Sequence, residues 1–322
     1  MEGNRSPFEF FTPIQPILRV GGSEIFVKRE DRIFFSQGTK IRKLKGIYES
    51  LKSISDSESR FRAVLRGNLH SNAILSGVLF FHWMGISVKV EAYSRNPELE
   101  SPASILARRF SEISLYSSRR EWEEQTAKIP AFDFSGGPIG RSGGEKFGKE
   151  ILSGSSEVRL PEYLFCSPAF HGLSSLWEEI DPRDFDWLVL DVGSGLTWLS
   201  ALRWNQIPVL GISLGLSFPR MKDWILRNTE NIGFPDSDLR WSSLFDPRSQ
   251  FGEKSFAFRS GKKWKSLAEK FSTRTGIFIE PVYAAKSLFV IEELVKAKEL
   301  KGRILYVYQG GILQSLSLLG KE

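Results

Sequence analysis

The sequence has little of the two residue types that most often build metal sites and disulfide frameworks. It contains one cysteine, Cys166, and three histidines, His70, His82 and His171. One cysteine cannot form an internal disulfide, and the histidines share no short spacing of the kind that zinc ligands use. We therefore expect no metal ion and no disulfide framework, which is consistent with a reducing compartment.

The sequence also lacks a convincing membrane segment. Residues 67–88 carry no Asp, Glu, Lys or Arg, and about 20 apolar residues can cross a bilayer. However, this stretch contains polar side chains that are costly in lipid, among them Asn68, His70, Ser71, Asn72, Ser76 and His82. We interpret it as a buried helix and a strand. Because no apolar signal segment stands at the N-terminus either, we expect a cytoplasmic protein with no membrane partner.

The basic excess is small and scattered. Lys and Arg number 44 against 38 Asp and Glu, a formal net charge of +6. The densest basic clusters are residues 40–45 and 262–265, and no zinc-finger, basic-zipper or RNA-recognition signature accompanies them. We interpret each cluster as the solvated face of a helix and predict no nucleic-acid partner. The sequence leaves the oligomeric state open, with a homodimer as one alternative.

Candidate strands and helices alternate along the chain, which favours α/β layers with mostly parallel sheets. A Gly-rich loop at 135–144 and a linker at 153–156 interrupt the pattern. The predicted strands are 24–28, 61–65, 86–90, 187–190, 209–212 and 304–308, and the predicted helices are 41–51, 71–84, 102–109, 197–204 and 287–298.

A glycine turn follows the predicted strand 187–190 and opens a helix. It comprises Gly193, Ser194, Gly195, Leu196 and Thr197. Glycines let the backbone approach a ligand, the amides at a helix N-terminus favour an anion, and the two hydroxyls add donors. The turn is neither a Walker A loop nor GxGxxG, since Trp198 stands where a third glycine belongs. A phosphate cradle and a plain tight turn both fit this pattern.

Four further motifs lie near the predicted ends of strands or starts of helices. Lys40 opens a helix after Gly38, where a lysine could form a Schiff base with a carbonyl cofactor or be an ordinary surface charge. Ser71 and Asn72 follow a strand, as ligand-facing polar groups or as a helix N-cap. The segments 280–286 and 308–311 lie late in the chain, the second directly after the last strand. The carboxyl ends of strands are where open α/β sheets bind ligands, although turns also occur there.

The order of these motifs resembles a known family. The chain is similar to the pyridoxal-phosphate enzymes of the tryptophan synthase β fold, and within them to the branch of 1-aminocyclopropane-1-carboxylate deaminase and D-cysteine desulfhydrase. The resemblance covers nearly the whole chain. It rests on segments 12–15, 27–31, 38–44, 71–72, 136–137, 193–197, 281–283 and 310–311. The lysine motif at 38–44 and Pro-Val-Tyr at 281–283 are the segments most specific to this branch.

The resemblance implies catalytic roles for three positions. Lys40 would hold pyridoxal 5′-phosphate on its side-chain amine and later move protons. Ser71 would lie near the substrate carboxylate or its Cα, and Tyr283 near the cofactor ring and the substrate. No metal ion takes part in this chemistry, because the cofactor is the electron sink.

The resemblance also implies how the cofactor is held. Asn72 would bond to its 3′-oxygen, and Gln309 would meet its pyridine nitrogen. The residues implied to hold the phosphate are Gly193, Ser194, Gly195, Leu196 and Thr197.

The chain departs from the branch at several of these positions. Thr39 stands in place of Asn, Ala73 in place of His, and Ala284 and Ala285 in place of Thr or Glu and Gly. Phe251 is the nearest match to a second active-site tyrosine and lacks its hydroxyl. These departures motivate an alternative, namely a degenerate homologue that binds the cofactor or a phosphometabolite without turnover.

We therefore predict the α/β fold of the tryptophan synthase β type (pyridoxal-phosphate fold type II), with two open, twisted, mostly parallel sheets and helices on both faces. The predicted domains are a large cofactor-binding domain (1–54 and 154–322) and a small domain (55–153). The predicted function is a deaminase or lyase that acts on a small amino acid, of the 1-aminocyclopropane-1-carboxylate or D-cysteine type, and releases ammonia and a 2-oxo acid.

Overall fold

The computed structural model describes residues 11–54, 61–134, 157–252, 256 and 261–316, so the predicted Gly-rich loop and linker lie outside the described residues. The strands are β1 (Ile14–Val20), β2 (Ser23–Lys28), β3 (Arg62–Asn68), β4 (Val88–Tyr93), β5 (Glu112–Tyr116), β6 (Glu157–Arg159), β7 (Trp187–Val192), β8 (Val209–Ser213), β9 (Leu244–Phe245) and β10 (Arg303–Val307). The helices are α1 (Thr39–Ile54), α2 (Asn72–Trp83), α3 (Pro102–Phe110), α4 (Arg119–Thr126), α5 (Ser167–Gly172), α6 (Ser174–Trp177), α7 (Leu196–Trp204), α8 (Phe218–Asn228), α9 (Pro247–Phe251), α10 (Lys262–Thr275), α11 (Ala284–Lys296) and α12 (Ile312–Ser315).

The chain divides into two compact units. The first takes its described residues from Met1–Thr39 and Leu173–Glu322, and the second from Lys40–Gly172. Helix α1 after Thr39, and the stretch from β6 to α5, are thus grouped with the second unit, whereas the sequence assigned them to the larger domain. The predicted domain bounds stay a prediction.

The first unit is built on a six-stranded sheet in the order β1-β2-β10-β7-β8-β9. Only the β1–β2 pair is antiparallel, and the other four pairs are parallel. Strand β10 lies between β2 and β7, with Tyr306 opposite both Val27 and Val189. Strand β10, which follows all the other strands in the sequence, therefore lies in the interior of this sheet. As a result, the ends of β7 and β10 become neighbours.

The second unit is built on a four-stranded parallel sheet in the order β5-β4-β3-β6. Strands β3 and β4 are in register from Ala63 opposite Val88 to Asn68 opposite Tyr93. Helix α2 follows β3 and is apolar on most sides, since seven of its residues are buried. This burial confirms the interpretation of residues 67–88 as a buried helix and a strand, although only Val88 of this stretch belongs to the strand that follows the helix.

Helix α1 forms where the sequence predicts it. Ile41, Leu44, Ile47 and Leu51 recur at helical spacing and are fully buried, which supplies the apolar stripe that anchors the helix. The prediction of a solvated basic face is wrong for residues 40–45, because Arg42 and Lys43 are buried on this helix.

The basic cluster at 262–265 lies at the start of α10, where only Trp264 is buried. The solvated-face interpretation therefore holds for its lysines. Within the described ranges, no helix has the length and apolar character that crossing a bilayer requires.

Candidate functional site

The glycine turn lies at the carboxyl end of β7, in the centre of the six-stranded sheet. Gly195 has a φ of +94°, a left-handed conformation that favours glycine, and α7 begins directly after it without a side-chain cap. Among the described residues, no group accepts a hydrogen bond from the backbone amides of residues 193–197. Unpaired amides at the positive end of a helix are suited to an anion such as a phosphate.

Helix α8 holds the turn in place from outside. The indole Nε1 of Trp224 donates a hydrogen bond of 3.0 Å to the carbonyl oxygen of Ser194. Ile225 packs so closely that a Cβ atom on Gly195 would lie 3.1 Å from its Cδ1. The turn is therefore supported on its carbonyl side, which leaves its amides available for a ligand.

The structure brings two of the predicted site residues together at this turn. The Cε1 atom of Tyr283 lies 3.9 Å from the position that a Cβ atom on Gly193 would take. Tyr283 is half-buried and immediately precedes α11. Its ring is thus beside the glycine turn, and its place near a cofactor ring and substrate stays a prediction.

Gln309 follows β10 and ties two predicted site segments together. Its side-chain Nε2 donates a 2.6 Å hydrogen bond to the carbonyl oxygen of Asp191, two residues before the glycine turn. Its backbone carbonyl accepts a hydrogen bond from the amide of Thr39, the residue before Lys40, and its Oε1 accepts one from the Thr39 hydroxyl. Gln309 therefore holds Asp191 and Thr39 in place through hydrogen bonds. Its contact with a pyridine nitrogen stays a prediction.

A buried polar group lies under the turn. The Asp191 carboxylate accepts hydrogen bonds from the hydroxyls of Tyr306, at 3.1 Å, and of Ser287. Burial, and then the charge of Asp191, raises the pKa of Tyr306 well above its ordinary value. Both hydroxyls therefore keep their protons and hold the carboxylate at the end of β7.

Lys40 lies in the first turn of α1, and Lys43 follows it one turn later. Lys43 is buried, and no described residue forms an ion pair or hydrogen bond with it. Burial, together with the charge of Lys40, lowers the pKa of Lys43 to about 7. No role was predicted for Lys43 from the sequence. Its position one helical turn after Lys40 was the available signal.

The low pKa of Lys43 predicts how stability depends on pH. Between a folded-state pKa of about 7 and an ordinary value of 10.5, the unfolded chain holds one more proton than the folded protein at this site. Stability should therefore rise with pH across that window, by up to about 1.4 kcal/mol per pH unit from Lys43 alone. We expect Lys43→Met to lose this contribution, as measured by urea unfolding of the cofactor-free protein at several pH values from 7 to 10. An unchanged slope would contradict the burial of an unpaired amine.

Ser71 and Asn72 lie at the start of α2. The Ser71 side chain caps this helix by accepting a 3.2 Å hydrogen bond from the amide of Ile74, so the N-cap interpretation is confirmed. The Oδ1 atom of Asn72 is buried and has no hydrogen-bond partner. A buried, unpartnered amide oxygen carries a free-energy cost that a ligand could relieve. This atom therefore fits a residue that binds a polar group of a cofactor.

Three of the departures from the family pattern, Phe251, Ala284 and Ala285, lie in apolar surroundings. Phe251 packs against Phe245, Phe256 and Phe289, with ring centroids 5.5–6.3 Å apart. Ala284 and Ala285 are fully buried at the start of α11. The alignment of Phe251 with the second tyrosine of the branch stays a prediction.

Other chemistries find little support in the part of the chain that the structure describes. No group of three or more His, Cys, Asp or Glu residues there could hold a metal ion. The thiol of Cys166 is buried, and burial raises its pKa to about 12, so it is a poor nucleophile.

Comparison with known proteins identifies relatives that span almost the whole chain. Two curated proteins, from Pyrococcus furiosus and Pyrococcus abyssi, are each named "Putative 1-aminocyclopropane-1-carboxylate deaminase". They are 25% and 24% identical to this chain, and each match covers 94% of this chain and 89% of the relative. No family model matches the sequence.

Solved structures share the fold. The crystal structure of an ACC deaminase homologue superposes with a TM-score of 0.70 at 22% identity, covering 96% of this chain and 92% of that one. A fungal L-serine ammonia-lyase from Rhizomucor miehei gives 0.62 at 12% identity, with 97% of both chains covered. Cysteine synthase from Entamoeba histolytica gives 0.60 at 13% identity, with 98% of this chain and 88% of that one covered. The comparisons confirm the predicted resemblance: this chain is similar in sequence to proteins named for 1-aminocyclopropane-1-carboxylate deaminase, and it has the two-sheet α/β fold of the tryptophan synthase β type.

Proposed function

We propose that this protein is a pyridoxal-phosphate-dependent deaminase or lyase that acts on a small amino acid and releases ammonia and a 2-oxo acid. Candidate substrates are 1-aminocyclopropane-1-carboxylate, which the names of the relatives suggest, and D-cysteine, which would also release sulfide. The observation that carries the proposal is the glycine turn, whose amides at residues 193–197 have no acceptor among the described residues. This turn suits the phosphate of the cofactor.

Two further observations support this cofactor. The buried Oδ1 of Asn72 lacks a partner and would accept a hydrogen bond from a ligand hydroxyl, such as the 3′-hydroxyl of the cofactor in its protonated form. Lys43 supplies a buried amine one helical turn after Lys40, and an anionic ligand bound near it would favour its charged form. The residues present therefore fit pyridoxal 5′-phosphate, and they suit it better than a metal ion.

Different residues of this chain would bind the cofactor, move the proton and orient the substrate. Backbone amides of residues 193–197, with the hydroxyls of Ser194 and Thr197, would hold the phosphate. The amine of Lys40 would carry the cofactor and later move the proton at the substrate Cα, while Ser71 would orient the substrate carboxylate. The ring of Tyr283, beside Gly193, would lie against the cofactor. When bound, pyridoxal phosphate supplies an electron sink for negative charge at Cα.

A substrate screen tests the reaction directly. The purified protein is loaded with pyridoxal phosphate and offered 1-aminocyclopropane-1-carboxylate and the D and L forms of cysteine and serine, with ammonia and 2-oxo acid as readouts. We expect turnover of at least one of them. Cofactor binding without any turnover would favour the degenerate alternative, which Ala73, Ala284 and Phe251 motivate.

Asn72 provides a test of cofactor binding that does not depend on turnover. Since Oδ1 of Asn72 has no partner, Asn72→Ala should change the free energy of unfolding of the cofactor-free protein by less than about 1 kcal/mol. The affinity for pyridoxal phosphate should fall roughly tenfold, because one hydrogen bond is lost. Absorbance titration measures this, with Asn231→Ala on the surface as the control. Equal affinities of the two variants would remove Asn72 from the site.

We also propose a cytoplasmic location, a homodimeric assembly and no nucleic-acid partner. The burial of Arg42 and Lys43 supports the last of these, since it withdraws two charges from the densest basic cluster. Retention on immobilised DNA or RNA that weakens with salt would contradict it. Sedimentation in solution measures the assembly.

A further inference from the structure

The buried carboxylate of Glu280 accepts hydrogen bonds from the backbone segment that carries Tyr283. The side chain of Glu280 is 2% exposed. Its Oε2 accepts a 2.6 Å hydrogen bond from the amide of Val282, and its Oε1 accepts bonds of 2.7 Å and 2.6 Å from the amides of Tyr283 and Ala284. Three consecutive amides are therefore fixed by one side chain, which sits at the positive end of α11.

Glu280 is itself held from the sheet. Its backbone amide donates a 3.2 Å hydrogen bond to the hydroxyl of Tyr308, the residue after β10. The buried amine of Lys286 lies in the first turn of α11. Burial raises the pKa of Glu280 and lowers that of Lys286 to about 8, and the charge of each residue partly offsets this effect on the other. The segment 280–284 is thus anchored both to the end of β10 and to α11. The Tyr283 ring projects from this anchored segment to the glycine turn at Gly193.

From this geometry we infer that Glu280 is a positioning residue that fixes the ring of Tyr283 beside the glycine turn. It acts through the backbone of residues 282–284 and does not itself touch a ligand. The inference rests on the proposed function, because the place of Tyr283 affects turnover only if the cofactor binds at that turn. A glutamine at position 280 has one acceptor oxygen in place of two, so at least one of the three bonds would be lost.

The experiment combines a measurement on the cofactor-free protein with one on the loaded protein. In the cofactor-free protein, Glu280→Gln should speed hydrogen exchange at the amides of residues 282–284 about tenfold. In the loaded protein, it should keep the visible absorbance of the lysine-bound cofactor and lower kcat about tenfold. In a Tyr283→Phe background, the same substitution should lower kcat by clearly less. Glu293→Gln, at a partly exposed position on α11 where the carboxylate pairs with Lys296, is the matched control and should change none of these.

Three results would overturn the inference. These are unchanged exchange at residues 282–284, an unchanged kcat, and an equal loss of kcat with and without the Tyr283 hydroxyl. If the wild-type protein takes up no cofactor, the proposed function fails, while the exchange measurement still decides whether Glu280 holds the segment. If Glu280→Gln does not fold, Tyr308→Phe removes the acceptor of the Glu280 amide and should likewise speed exchange at residues 280–284. Unchanged exchange in that variant would count against the inference.

Discussion

Lys40→Ala is expected to abolish both the visible absorbance of the lysine-bound cofactor and the release of 2-oxo acid. The side-chain amine at this position would attach the cofactor and move the proton at the substrate Cα, so its loss removes two functions at once. We expect turnover to fall on the order of 10³-fold or more. The measurements are the absorbance spectrum after addition of pyridoxal phosphate and a 2-oxo acid assay.

Lys45→Ala is the matched control for this prediction. Lys45 lies on the same helix α1, is partly exposed and pairs with Glu49 at 3.6 Å. Its removal should cost less than about 1 kcal/mol of stability and leave the spectrum unchanged. If Lys40→Ala and Lys45→Ala bind the cofactor with the same spectrum, Lys40 is not the attachment site.

Gly38→Ala is expected to disrupt the segment that leads into Lys40. Gly38 has a φ of +61°, and a Cβ atom there would lie 1.9 Å from the carbonyl oxygen of Gln309. That oxygen belongs to the backbone and also accepts the amide of Thr39, so it cannot move away without breaking this bond. We expect a loss of roughly 2 to 5 kcal/mol in the free energy of unfolding, together with weaker cofactor binding. Urea unfolding and absorbance titration measure the two effects.

Gly276→Ala is a control that separates the steric clash expected at Gly38 from the strain of a left-handed backbone. Gly276 follows α10 with a φ of +67°, but a Cβ atom there would meet nothing within 4 Å. Its substitution should therefore cost only the left-handed backbone penalty, about 1 to 2 kcal/mol, and leave cofactor binding intact. Equal stability losses for the two variants would show that the packing of Gly38 against Gln309 is unimportant.

Much of the fold could be predicted because its central elements have strong local signals. Strand β7 is a nearly continuous apolar run, and α1 repeats its buried residues at helical spacing, so both were expected. Strand β1 was not, because it contains Pro16 and pairs irregularly at the edge of its sheet. Strand β6 is only three residues long and gives no periodicity. The insertion of β10 between β2 and β7 joins distant parts of the chain, which local patterns do not encode.

The residues of the candidate site also differ in how far the sequence indicates them. The glycine turn, Lys40 and Tyr283 were assigned to the site from the sequence because they belong to motifs with a recognisable order, and their roles stay predictions. The burial of Glu280 and of Lys43 could not be predicted, because a charged residue usually indicates exposure and burial arises only from tertiary packing. The described hydrogen bonds of Gln309 hold Asp191 and Thr39, and its contact with the pyridine nitrogen of the cofactor stays a prediction.

The attachment of pyridoxal phosphate to Lys40 is the central claim, and reductive trapping tests it most directly. The protein is incubated with the cofactor, reduced with borohydride, digested and mapped by mass spectrometry. We predict one modified peptide, with the added mass on Lys40, and no modification of Lys43 or Lys286. Attachment to another lysine, or no attachment at saturating cofactor, would contradict it.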